Sequence, residues 1–309
     1  MENAKGRTTR LDRQFDRLRD MEEAGTYVKA RGGRVLGRIL ANKLSLFGFV
    51  AAGVILLASM FAPLITRYDP MAIDLRHIEA PPSAVHILGT DKVGRDVFSR
   101  ILYGGRISIL VGLGSSLGSA LIGIGIGAYT GYRGGWLDGL LLRISEIVMS
   151  FPQIILVLML VAIAGQSLMN LMLIFTLTGW GGIYRMIRGQ MLSLREEEYV
   201  TAMRAFGMNT LSICYKHILP NALGPIMVNI TLSTAMFILQ EAGLSFLGLG
   251  VPASIPTWGN ILNAAQDLRI LTTLWWMWIP VSTVISVFVL AINFIGDGLR
   301  DSTDPTQQG

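Results

Sequence analysis

Six stretches of this chain stay apolar long enough to cross a bilayer, and the polar residues crowd between them. A hydrocarbon core needs roughly 20 predominantly apolar residues of helix. Segments 44–66, 107–129, 144–165, 168–186, 221–243 and 274–295 meet that demand. Glu146 and Pro152 interrupt the third, and Gly-Trp-Gly-Gly at 179–182 loosens the end of the fourth. The pattern predicts an all-α, polytopic membrane protein with about six transmembrane helices.

Charge orients the spans. Lys5, Arg7, Arg10, Arg13, Arg17, Arg19, Lys29, Arg31, Arg34, Arg38 and Lys43 precede the first span, so this end is expected to stay in the cytoplasm. Six crossings then return the C-terminus to the same side. The chain divides into a basic cytoplasmic tail (1–43), a first transmembrane helix (44–66) and an extracytoplasmic loop (67–106). A transmembrane core (107–300) contains a cytoplasmic loop at 195–220, and a short cytoplasmic tail (301–309) follows. Residues 11–27 are charged and helix-compatible, which suits a surface helix skimming the membrane. In the outer loop, Gly89-Thr90-Asp91 reads as a helix start, followed by an amphipathic helix at 93–104. That helix is expected to lie on the outer surface, with Val97, Ile101 and Leu102 turned inward or to lipid.

Composition narrows the chemistry. The 309 residues are 51% hydrophobic and only 15% charged, against roughly 25% charged in soluble domains. The formal net charge of +5 could suggest nucleic acid, but the basic residues crowd before the first span, where they anchor beside anionic lipid. Membrane lipid, not nucleic acid, is the expected contact. Cys214 is the lone cysteine, and His77, His86 and His217 are too scattered to read as a metal cluster, so no metal site is expected. The spans at 44–66, 107–129 and 274–295 carry no charge, while Glu146 and Glu241 are read near span ends, within reach of water. A self-sufficient ion-coupled carrier would need a buried relay, and none is evident. Gly-Lys never occurs, so there is no Walker A loop, and no catalytic constellation stands out. The chain is expected to be no enzyme and to hold no cofactor. Gly114-x-x-x-Gly118 and Gly123-x-x-x-Gly127, with Ser115 and Ser119, suit close helix packing or a lining for a translocation path.

The loop TAMRAFGMNTLSICYKHILPNALGP at 201–225 is too polar to span and too patterned to be slack. Tyr199, Met203 and Phe206 recur at i, i+4 and i+7, one face of a short helix. Glu196, Glu197 and Glu198 suit its start, and Gly207 suits the C′ position. Asn209 suits the N-cap of a second helix with a stripe of Leu211, Cys214, Tyr215 and Ile218, ended by Pro220. The expected product is an angled helix–turn–helix knob. Its stripes can be buried against its own helices or lipid, or in a socket on another protein.

The same loop resembles the "EAA loop" of bacterial ABC importer permeases: E-A-A, three residues, Gly, nine residues, then I-x-L-P. Thr201-Ala202-Met203 stands at E-A-A, Gly207 follows Arg204, Ala205 and Phe206, and His217-Ile218-Leu219-Pro220 closes the pattern. Thr201, Met203 and His217 depart from it. LGTDKVGRDVFSRILYGGRISILVG (88–112), SFPQIILVLMLVAIAG (150–165), REEEYVTAMRAFG (195–207), LQEAGLSFLGLG (239–250) and PTWGNILNAAQ (256–266) are similar to the second permease subunit of dipeptide/oligopeptide importers. That group also holds nickel permeases and some sugar or opine permeases. The resemblance covers about 40–305.

The resemblance implies a type I ABC importer permease fold in the bacterial inner membrane. It implies a sister permease, usually as a heterodimer, two ATP-binding subunits carrying ATP and Mg, and an extracytoplasmic substrate-binding protein. The ATPase-facing knob would comprise Tyr199, Ala202, Met203, Arg204, Ala205, Phe206, Gly207 and His217, with Pro220 at its junction to the fifth span. Small Ala202 and Ala205 would permit close approach, and Met203 and Phe206 would fill the groove. The expected substrates are di- or oligopeptides, with nickel chelates, small glycans or an unassisted carrier as alternatives.

Overall fold

The computed structural model describes residues 42–303, and regular structure among them is entirely helical apart from an isolated bridge between Thr90 and Asp96. The expected surface helix at 11–27, the basic run before Lys43 and most of the tail at 301–309 lie outside the described residues. Helix α1 (Lys43–Met60) begins where Asn42 Oδ1 accepts from the N–H groups of Leu44 and Ser45, at 3.0 and 3.4 Å. A short α2 (Ala62–Ile65) follows.

Helix α3 (Val97–Arg133) has 37 residues and extends about 55 Å at 1.5 Å per residue. The surface helix expected at 93–104 is therefore no separate element. The cap also differs: Asp96, not Asp91, accepts the Ser99 N–H at 2.8 Å, while Asp91 pairs with Arg95 and Arg100. Gly104 and Gly105 do not break the helix, because neighbours press on its backbone there. A Cβ on Gly104 would stand 3.1 Å from the Thr257 carbonyl carbon, and one on Gly105 2.2 Å from Ser59 Oγ.

The third expected span is broken. Helices α4 (Trp136–Ser150) and α5 (Gln153–Ala164) meet at 90°. Pro152 explains the bend, since it pushes Phe151 out of the α region to φ −88°, ψ 141°. Helix α6 (Leu168–Leu194) is 27 residues long, but Thr176, Thr178, the glycines of 179–182 and Arg185 dilute its apolar character. After α7 (Glu198–Ala205) and α8 (Thr210–Ser212), a π turn (Ile213–Ile218) and a 3-10 turn (Leu219–Ala222) lead into α9 (Leu223–Phe246). Helices α10 (Trp258–Leu262), α11 (Leu268–Thr273) and α12 (Ile279–Thr303) complete the chain. Among the described residues, α1, α3, the run Thr210–Phe246 and the run Trp275–Ser302 are long and apolar enough to cross a bilayer. The bent α4–α5 pair makes five, against the six read from hydropathy.

Helix α3 is the spine. Its small residues form the seam with α6: a Cβ on Gly123 would stand 2.9 Å from the Tyr184 backbone nitrogen, and Ser119 Oγ donates to the Thr176 carbonyl at 3.1 Å. Close packing is what these residues do. Near the opposite side of α3, Trp258 and Phe288 close a core shared with Ile238 and Val281. Glu241, read as water-exposed at a span end, is completely buried. The chain after α9 folds back over it. Ser108 Oγ donates to Glu241 Oε2 at 3.0 Å and Ser245 Oγ to Oε1 at 2.8 Å, while the Trp258 backbone N–H donates to Ser108 Oγ at 3.1 Å.

Candidate functional site

The knob forms at the end of α3 opposite the 66–96 segment. Helix α7 ends as a Schellman motif: the Met208 N–H donates to the Met203 carbonyl at 3.1 Å and the Gly207 N–H to Arg204 at 2.9 Å. Gly207 occupies the C′ position at φ +74°, where a side chain is strained. Asn209 Oδ1 then accepts the Leu211 N–H at 3.0 Å and starts the next turn.

Pro220 does not end the second helix, contrary to the sequence expectation. The Leu219 N–H reaches back five residues to Cys214, a π turn that takes up the register before the proline, and the rod continues into α9. The second half of the knob is thereby continuous with a membrane-length helix. The stripes also differ. In α7 the buried residue is Val200, with Met203 packed partly behind it, whereas Tyr199 is half-exposed and Phe206 is 87% exposed. In the second half Ile213, Cys214 and Ile218 are buried and Leu211 is exposed. These inward residues share a core with Ile183, Ile187 and Met191 of α6 and Ala128 and Tyr132 of α3. The outward face carries Tyr199, Ala202, Ala205, Phe206 and Gly207, with Pro220 exposed and His217 partly covered at the junction.

Contacts that sequence reasoning missed fasten this unit. Arg204, expected on the outward face, turns its guanidinium inward: Nε donates to the Tyr132 hydroxyl at 2.9 Å. Tyr215 Oη donates to the Gly125 carbonyl at 2.6 Å, and Asn221 Nδ2 donates to Tyr199 Oη at 3.2 Å and to the His217 carbonyl at 3.1 Å. Arg188 of α6 grips Asp138 of α4 through Nε and Nη2, both at 2.6 Å. The sequence reading ends the span at 129, so it places Tyr132 beyond the helix that in fact carries it.

Hollows adjoin these elements, two of them of about 690 and 400 Å³. The first lies beside the knob between Tyr129, Leu137, Leu141, Leu211 and Tyr215. The second opens where α4 and α5 bend away from α6 and α9, and is lined by Met149, Gln153, Thr178, Asn229, Ser233 and Met236 among others. At the other end of α3, His77 and His86 are not scattered as their spacing suggested, because the segment after α2 doubles back and brings their rings to 5.5 Å.

A bundle of helices, several of them long and apolar enough to cross a bilayer, with a helical knob that runs into one of them, defines a multi-pass membrane protein. Residues 123–308 match the family described as "Binding-protein-dependent transport system inner membrane component", and residues 31–82 match the "N-terminal TM domain of oligopeptide transport permease C". The chain belongs to this family of inner-membrane transport components. It is 39% identical over 268 residues to the oligopeptide transport system permease protein OppC of Bacillus subtilis, covering 87% of each chain. It is 38% identical over 268 residues to the dipeptide transport system permease protein DppC of the same organism, covering 87% of this chain and 83% of the relative. It is also 42% identical over 289 residues to a Brucella suis biovar 1 protein with a provisional peptide-permease name, covering 94% of this chain and 96% of the relative.

Proposed function

We propose that this chain is one permease subunit of an ATP-driven, binding-protein-dependent importer of di- and oligopeptides. It pairs with a sister permease, receives substrate from an extracytoplasmic binding protein, and takes its energy from two ATP-binding subunits that carry ATP and Mg. The knob lies on the cytoplasmic side and docks on an ATPase subunit through Tyr199, Ala202, Ala205 and Phe206. Both chain ends lie on that side too, as the basic residues before the first span suggest.

One observation carries this reading: the knob buries Val200, Ile213, Cys214 and Ile218 in its own bundle yet leaves Phe206 standing in solvent. Aromatic residues are enriched at protein–protein contacts, and a groove on an ATPase subunit would cover this one. A push on that face would reach α9, because hydrogen bonds tie both halves of the knob to α3 and the helical run is continuous from Thr210 to Phe246. Rigid-body motion outside the bilayer then becomes helix rearrangement within it.

Peptides fit the hollow at the α4–α5 bend. Its methionines adapt to varied apolar side chains, and Gln153, Asn229, Ser233 and Thr178 offer hydrogen bonds without fixed charge. Names of the relatives point to the same substrate class.

The test is reconstitution of the chain with its sister permease and ATPases in vesicles. Peptide-loaded binding protein should stimulate ATP hydrolysis and peptide uptake, and the chain alone should transport nothing. Uptake by the isolated chain, or stimulation by a nickel chelate or glycan and not by peptide, overturns the reading.

A further inference from the structure

The segment between α2 and α3 gathers three ligand-bearing side chains that import does not use. One potential ligand atom from each of Asp74, His77 and His86 lies within 4.8 Å of the others. His86 is 3% exposed, and its Nδ1 sits 2.9 Å from the Asp96 carboxylate. Asp96 is itself fixed as the cap of α3. A carboxylate on one ring nitrogen orients the imidazole and leaves the other, Nε2, to ligate. Tyr68 flanks the His86 ring at 4.8 Å between centroids. On the open side, Asp74 Oδ2 sits 2.8 Å from His77 Nδ1, and their side chains are 43% and 47% exposed.

We propose that Asp74, His77 and His86 form a binding site for a divalent transition cation of zinc's class, completed by water on the exposed side. Two imidazoles and one carboxylate are the donor set that borderline cations take, whereas magnesium and calcium prefer oxygen alone. Metal–ligand bonds of about 2.0–2.2 Å require donors closer than 4.8 Å, so the half-exposed Asp74 and His77 must swing toward the fixed His86. The backbone need not follow. It already lies hard against the turn before α3, where a Cβ on Gly94 would fall 1.9 Å from the Asp74 carbonyl oxygen. Bound metal would pin the 74–86 segment to the start of α3, a role that holds whichever solute crosses the membrane.

The test uses the untagged full chain in detergent, stripped with chelator and titrated with Zn²⁺ or Co²⁺. About one equivalent should bind, with the Co²⁺ visible spectrum of a nitrogen–oxygen site, and Zn²⁺ should raise the unfolding temperature. His77→Ala and Asp74→Asn, both at half-exposed positions, should each weaken binding at least about tenfold and abolish the thermal shift. His86 is left intact because its removal strands Asp96. Absence of stoichiometric uptake, unchanged affinity in both variants, or equal binding of Mg²⁺ overturns the proposal.

Discussion

Arg204 of the knob and Tyr132 at the end of α3 meet twice. The guanidinium Nε donates to the phenol oxygen at 2.9 Å, and its central carbon stands 5.0 Å from the ring centre. Residues 72 apart in sequence are thus locked where the knob joins the spine. Tyr132→Phe keeps the ring and removes the hydrogen bond, at a cost of about 1 kcal/mol. Tyr132→Ala also empties a buried position and should cost about 3–5 kcal/mol. In the reconstituted assembly, Tyr132→Phe should raise the ratio of ATP hydrolysed to peptide imported while leaving the amount of assembled complex unchanged. An unaltered ratio would show that this contact does not transmit force.

Gly207 separates backbone strain from steric clash. Its φ is +74°, yet a Cβ there would meet nothing within 4 Å. Gly207→Val should therefore suffer only the conformational penalty, about 1–3 kcal/mol, and should loosen the Schellman turn. Gly207→Asn, a residue that tolerates the left-handed region, should retain most coupling. The comparison is ATP turnover against uptake for both variants. Equal loss in the two would implicate the outward surface, not the turn.

Glu241 tests the buried network in the bilayer. Its two oxygens accept from Ser108 and Ser245, and Ser108 in turn accepts from the Trp258 backbone, so the carboxyl ties α9 to α3 and to the chain that folds back over both. Glu241→Gln keeps the shape and one carbonyl acceptor, and should cost within about 1 kcal/mol. Glu241→Ala leaves the serine hydroxyls facing a void and should cost about 3 kcal/mol. Thermal unfolding of the detergent-solubilised protein reads both. A Glu241→Gln variant as unstable as Glu241→Ala would show that charge, not shape, matters there.

Local signals in the sequence placed the parts whose physics is local. Apolar run length located α1, α3, α9 and α12, and the turn of the knob was marked by the backbone freedom of Gly207 and the capping side chain of Asn209. Where tertiary contacts decide, local rules failed. Pro220 should have stopped a helix, but the π turn before it absorbed the mismatch. Phe206 matched an apolar stripe yet faces outward, because the bundle takes Val200 instead. Glu241 became buried only because the chain after α9 folds back over it, and His77 met His86 because the chain between them turns back on itself. No nearest-neighbour pattern reports that.

The acid face of the stability curve should belong to Asp91. Burial pushes its carboxyl up, but this is outweighed by the charge of Arg100, the backbone N–H groups of Arg95 and Val93, and the charge of Arg95, so the group is held below its ordinary value. A carboxylate depressed on folding contributes stability that is fully present above its unfolded pKa, about 3.9, and is lost as pH falls through the folded value. The 67–96 segment should therefore hold α3 undiminished at neutral pH and weaken only below about pH 4. Asp91→Asn removes the ion pairs at every pH and strands the buried Arg100, so it should lower the unfolding temperature at pH 7 and flatten the dependence between pH 5 and 3. The measurement is the unfolding temperature of both proteins across that range. An acid slope as steep in Asp91→Asn as in the unaltered chain would assign the effect to another carboxylate.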